Sequence, residues 1–219
     1  PAGSVEPSTA LVLANAIYLN AAWATKFKTE ETTQQPFTLQ SGSSVDVDMM
    51  SGLLHVAHTQ QSDYFAVELD YEGDELSMVL FVPSDFDAFE QALTPAVIDT
   101  TLTALGSKNV ILQLPKFGGD TSVPLATKLQ EIGLEAPFVD GVADFSGING
   151  QQDLVITSAF HKTFIRVAEA GTEAGAATGV VVGPTSIPEL VAVDRPFIYL
   201  IRDKATGIIL FLGRVLDPR

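Results

Sequence analysis

The sequence contains no cysteine, so neither a disulfide framework nor thiolate chemistry is open to it, and the redox compartment stays undetermined. No apolar run approaches the roughly 20 residues that a membrane-spanning helix needs; the longest are short, such as Ile208 to Leu212. Positive charge is scarce. Twelve Lys+Arg stand against 27 Asp+Glu, a net charge of −15, which argues against nucleic acid and anionic membrane surfaces. GxSxG, GxGxxG, P-loop and HExxH motifs are all missing, so the usual hydrolase, nucleotide and zinc-peptidase signatures fail. The three histidines are His55, His58 and His161. The first two are three apart on a predicted strand, so they point to opposite faces, make a poor metal pair and read as surface residues. Neither metal nor cofactor is expected.

What remains is a chain of 219 residues, 46% hydrophobic, enough for one or two domains with a real core. The opening Pro1-Ala-Gly-Ser-Val-Glu-Pro-Ser-Thr9 reads as a loop with no signal peptide. The expectation is therefore a chain that begins inside a larger protein. Residues 10–20 read as a strand apolar on both faces, hence covered on both sides, with a helix as the runner-up. Asn15 interrupts its most apolar row and needs a partner. Short strands follow at 36–39, 45–50, 53–58 and 64–71, then a turn at 72–75 into a strand at 76–83. Two helices broken near Thr94-Pro95 fill 85–105. A strand covers 109–115 and a helix 122–132 ends before Gly133. Residues 153–168 form a long strand in which His161 shares an apolar face with Val155, Ala159, Ile165 and Val167; Asn15 is its expected partner. A buried hairpin joins 197–201 to 208–212. Strand-rich with a few helices and no regular βαβ alternation, the fold class is α+β.

The unusual stretch is residues 169–188, Glu169-Ala-Gly-Thr-Glu-Ala-Gly-Ala-Ala-Thr-Gly-Val-Val-Val-Gly-Pro-Thr-Ser-Ile-Pro188. Its glycines fall at 171, 175, 179 and 183, always four apart, so in an extended chain they share one side. The other side reads Thr172, Ala174, Ala176, Thr178, Val180, Val182, small to apolar and uncharged. A connecting loop is normally polar, while a standing strand is weakened by glycine. The segment thus suits two states, exposed loop or strand within a sheet. A transmembrane helix, a flexible linker and a permanent strand are the competing readings.

Taken in order, these segments resemble the serpins, from about Leu11 to Pro218. Residues 169–178 resemble the hinge of an inhibitory serpin's reactive loop, and Val191-Ala-Val-Asp-Arg-Pro-Phe-Ile-Tyr-Leu-Ile201 resembles the family's C-terminal signature. Asn15 to Trp23, Leu114-Pro-Lys-Phe117, Ala159-Phe-His-Lys162 and Gly213-Arg-Val215 match further segments at the expected spacings. The resemblance implies a serpin-like fold, with residues 1–219 as the C-terminal part of a single domain. It implies a serine protease inhibitor, not an enzyme, that traps its target by inserting the cleaved loop into the large sheet. Carried over residue by residue, the reactive bond is Thr185–Ser186, with Val182 or Gly183 as rival positions. The hinge is Glu169, Gly171, Thr172, Glu173, Ala174, Gly175, Ala176, Ala177 and Thr178. Asn15 and His161 match the family's shutter, and Trp23, Lys116 and Glu169 its breach, where a Lys116–Glu169 ion pair is expected.

Between Arg166 and Arg195 there is no Lys or Arg, and between Phe164 and Phe197 no aromatic. That favours elastase-like or subtilisin-like targets over trypsin-like or chymotrypsin-like ones. The resemblance leans toward an extracellular setting. It also leaves roughly the first two-fifths of the fold outside this chain, so an N-terminal segment of the same serpin is an expected partner. Gly175 stands where alanine is commoner, and Ala170 where a charge is frequent. A non-inhibitory serpin serving as chaperone, carrier or store is the main alternative; a hydrolase using His161 is a second.

Overall fold

The computed structural model describes residues 9–172 and 188–219. In chain order the strands are β1 (Leu11–Ile17), β2 (Ala21–Ala22), β3 (Thr33–Thr38), β4 (Ser44–Gln60), β5 (Tyr64–Asp70), β6 (Leu76–Pro83), β7 (Gly106–Pro115), β8 (Phe117–Pro124), β9 (Ile156–Ala168), β10 (Gly171–Thr172), β11 (Glu189–Ala192), β12 (Phe197–Asp203) and β13 (Ile209–Val215). The helices are α1 (Phe86–Ala92), α2 (Pro95–Ala104), α3 (Leu125–Glu131) and α4 (Ser146–Asn149). These residues divide into two compact units: the described residues up to Tyr18 with Gly119–Ile165, and Leu19–Gly118 with the described part of Arg166–Arg219.

The larger unit is built on one sheet in the order β11-β7-β4-β5-β6-β12-β13, with β3 also paired to β4. β5, β6 and β12 are near-continuous apolar runs, as befits strands covered on both faces. Ala66, Val79, Phe81, Ile198 and Leu200 pack with Phe86 and Phe89 of α1, while Val97, Ile98 and Leu102 of α2 close over them. Each Val, Ile, Leu or Phe side chain fully removed from water here is worth about 1.5–3 kcal/mol. Local chemistry starts both helices. The Asp85 carboxylate accepts from the Ala88 N–H at 3.0 Å, and Pro95 occupies the first position of α2 behind its cap, Thr94, where its missing N–H costs nothing.

One buried charge crosses this sheet. Glu68 on β5 accepts from the Ser77 hydroxyl at 2.6 Å and from Arg202 Nε and Nη2 at 3.0 and 2.7 Å. Gly213 on β13 stands opposite Tyr199 on β12, whose ring takes the space of a side chain: a Cβ there would lie 2.4 Å from the phenol oxygen.

In the smaller unit β1 runs parallel to β9 from Leu11↔Ile156 to Ile17↔Thr163, which sets Asn15 opposite His161. β8 also pairs with β9.

Several expectations are corrected. Residues 44–60 are one strand, not two, because pairing with β7 continues through Ser51↔Gln113 and Gly52↔Leu112. β1 is largely exposed instead of covered, with Leu13 at 45%. The C-terminal hairpin is buried along most of β12 but on β13 only at Phe211 and Val215, with Leu212 59% exposed. The third helix starts at Leu125, since 117–124 belong to a strand. His55 is at the surface, but His58 is 8% exposed and packs against Phe65. Burial pushes the His58 imidazole below its ordinary value, with Lys108 acting the same way and Glu189 opposing.

Candidate functional site

The strand β9 does not continue into the glycine-rich stretch. It ends at Ala168, turns through Glu169–Ala170 and folds back as β10, with Gly171 opposite Ala168 and Thr172 opposite Val167. The other edge of β10 pairs with β2, Gly171 with Ala22 and Thr172 with Ala21. Gly171 is required at this point. Its φ is +139°, and a Cβ would lie 2.3 Å from the Ala21 carbonyl oxygen and 2.8 Å from the Trp23 nitrogen. Both atoms belong to backbone held in a sheet, so neither can step aside.

Trp23 clamps this turn. Its indole N–H donates to the Ala168 carbonyl at 3.0 Å and its backbone N–H to the Ala170 carbonyl at 3.0 Å. The Phe27 N–H takes the remaining carbonyl, that of Glu169, at 2.9 Å. Behind the indole lies Tyr71, stacked at 4.6 Å with its ring only 13° off parallel. The Tyr71 phenol meets the Thr172 hydroxyl at 2.8 Å, both residues being 1% exposed. Burial pushes that phenol well above its ordinary value, with the Thr172 bond acting the other way. It therefore stays protonated and able to donate.

Glu169 supplies the charge. Its Oε1 accepts from the Thr32 hydroxyl at 2.8 Å and lies 3.4 Å from Lys116 Nζ. Burial is the largest single influence on its carboxyl and acts to raise it. Its own backbone N–H, the Thr32 hydroxyl and Lys116 outweigh that and hold it below the ordinary 4.5. Lys116 sits between β7 and β8 and lines a surface cavity of about 510 Å³, so its side chain is 37% exposed while that of Glu169 is 12% exposed. In the smaller unit Asn15 Nδ2 lies 3.2 Å from His161 Nδ1, the contact joining the two strands across their register.

The structure thus brings Trp23, Lys116, Glu169, Gly171 and Thr172 together, and separately pairs Asn15 with His161. Glu173, Ala174, Gly175, Ala176, Ala177, Thr178, Thr185 and Ser186 lie outside the described residues. Tyr71, Thr32 and Phe27 were not singled out by the sequence. Tyr71 ends a strand beside an acidic turn, and nothing local to it points to a threonine about a hundred positions later. Among the described residues no group of three or more His, Asp or Glu could hold a metal ion, and no helix is long and apolar enough to cross a membrane.

The serpin family model, described as serine protease inhibitor, matches residues 1–218. The chain belongs to the serpin family. It is 38% identical to leukocyte elastase inhibitor A of Mus musculus over 229 residues, covering 99% of this chain and 60% of that protein. An uncharacterised serpin-like protein of Thermococcus kodakarensis is 36% identical, with 98% of this chain and 51% of the relative covered. Human thyroxine-binding globulin superposes with a TM-score of 0.89 at 28% identity, over 98% of this chain and 58% of that one. This serpin chain therefore spans between about half and three-fifths of the length of these relatives. The fold they share is the α+β arrangement of large mixed sheets with few helices described above. Their names point two ways, to elastase inhibition and to thyroxine binding.

Proposed function

We propose that this chain is the C-terminal part of a single inhibitory serpin domain whose reactive loop, about residues 169–188, traps a serine protease. The observation that carries the reading is the seat of Thr172. It lies opposite Val167 on the buried face of β9, the face that its small, uncharged row was built to occupy. Continued residue for residue in the same register, Ala174 would stand opposite Ile165, Ala176 opposite Thr163, Thr178 opposite His161 and Val180 opposite Ala159. Directly opposed residues in an antiparallel pair point to the same face, so the whole row would sink where Thr172 already sits.

The protease serine attacks the Thr185 carbonyl carbon. The bond to Ser186 nitrogen breaks, that nitrogen leaves with a proton, and the Thr185 acyl group stays esterified to the enzyme. Insertion from the hinge then adds a strand to β9 and opens the β1–β9 pairing held by Asn15 and His161. Roughly ten new ladder hydrogen bonds at about 0.5–1.5 kcal/mol each come to the order of ten kcal/mol. That rivals the ~5–15 kcal/mol that holds a domain together, enough to distort a tethered enzyme. The small, β-branched Thr185 and the absence of Lys, Arg and aromatics from the loop suit elastase-like or subtilisin-like targets. The N-terminal segment of the same serpin is a partner this activity needs.

Incubating the complete protein with elastase- and subtilisin-type enzymes tests the reading. It predicts a complex that survives denaturation and a released peptide that begins at Ser186. A different first residue would overturn the bond assignment. Turnover of the loop without a complex, and without a gain in thermal stability after cleavage, would favour the carrier reading that the likeness to thyroxine-binding globulin supports.

A further inference from the structure

The hydroxyl of Thr172 is not needed for burial; valine would fill the same site. What it adds is the bond to the Tyr71 phenol at 2.8 Å. We propose that Tyr71 is a positioning residue for inhibition, its phenol and the Thr172 hydroxyl forming a latch that keeps the first hinge residues seated between β9 and β2. Insertion after cleavage then starts from a strand already begun, before the protease can hydrolyse the acyl bond and leave. This rests on the inhibitor reading above, while the latch itself is read from the geometry.

Three features make the pair a latch. Both residues are 1% exposed, so neither hydroxyl can turn to water if the other is removed. Tyr71 cannot swing away, because its ring is stacked on Trp23 and the backbones of the two form a bridge. Flanking bonds from the Ala24 N–H to the Asp70 carbonyl and from the Glu72 N–H to the Ala22 carbonyl, at 2.9 and 2.8 Å, fix that bridge. Thr172 cannot slide, because Gly171 is wedged against the Ala21–Trp23 backbone. The bond therefore has one geometry, and releasing the hinge means breaking it.

The test is a cycle in the complete protein. Tyr71→Phe keeps the stack on Trp23 and removes one hydroxyl; Thr172→Val keeps the branched shape and removes the other; the double variant removes both. A buried hydroxyl left without its partner is costly, whereas removing both partners is nearly neutral. Each single variant is expected to speed hydrogen exchange of the Gly171 and Thr172 amides by about five-fold or more. Each is also expected to raise the number of inhibitor molecules consumed per protease trapped. The double variant should return both readings to within about two-fold of the parent. Singles indistinguishable from the parent, or a double as impaired as the two singles combined, would overturn the latch. Should Tyr71→Phe not fold, Thr172→Val with Thr172→Ser as the hydroxyl-restoring control carries the same decision. If the parent forms no protease complex, the inhibitor reading fails, and the exchange measurement still decides the latch.

Discussion

At Gly171 the backbone leaves no room for a methyl group, and this places the tightest constraint in the site on a residue with no side chain. Gly171→Ala should expel the start of the hinge from between β9 and β2. The left-handed φ alone costs about 1–2 kcal/mol for an L residue, and the contact with the Ala21 carbonyl adds to it. Faster exchange of the Thr172 amide, with loop cleavage no longer yielding a stable complex, is the expected outcome. Glu169 makes a prediction about pH. Its carboxyl is held below 4.5 in the folded protein, so as pH falls the unfolded chain takes up the proton first. Its contribution to stability is complete above that value and is lost as pH falls through the folded-state one. The stability gap between the parent and Glu169→Gln, read from urea unfolding, should be full at neutral pH and shrink as pH falls below the ordinary carboxylate value and through the folded-state one. The partly exposed Lys116 accounts for only about 0–1 kcal/mol of it; Lys116→Ala should cost little in stability and show instead as earlier polymerisation on heating. Among these residues, Asn15 and His161 were legible because a polar side chain on an apolar row demands a partner. Lys116 and Glu169 were legible through resemblance. Tyr71 and Thr32 were not, since their roles arise only when distant strands meet.

Among the elements, the strand-rich pattern and both helix starts could be read from alternation, from Asp85 and from Thr94-Pro95. The long β4 could not: Ser51-Gly52 looks like a break until β7 is seen pairing across it. The exposed face of β13 was hidden for the opposite reason. An apolar strand is read as buried, and sequence alone does not say what lies beside it. The buried charge across β5, β6 and β12 was also invisible, because Glu68 and Arg202 are 134 positions apart. Arg202→Leu should destabilise the protein by about 3–5 kcal/mol, because it leaves Glu68 buried without its cation. Arg202→Leu with Glu68→Leu should recover most of that loss, with the denaturation midpoint as the readout.

For the whole molecule, an inhibitory loop is a strand in waiting, with Gly171 and Thr172 already in the register that the rest would follow. Cleavage between Thr185 and Ser186 should then stabilise the complete protein, raising its Tm by about 10 °C if insertion contributes on the order of ten kcal/mol. The most direct measurement is hydrogen exchange of the loop-cleaved complete protein across residues 174–182. Amides there are expected to exchange as slowly as those of β9 itself. Exchange at the rate of a free peptide, with the Asn15–His161 pairing unbroken, would contradict insertion.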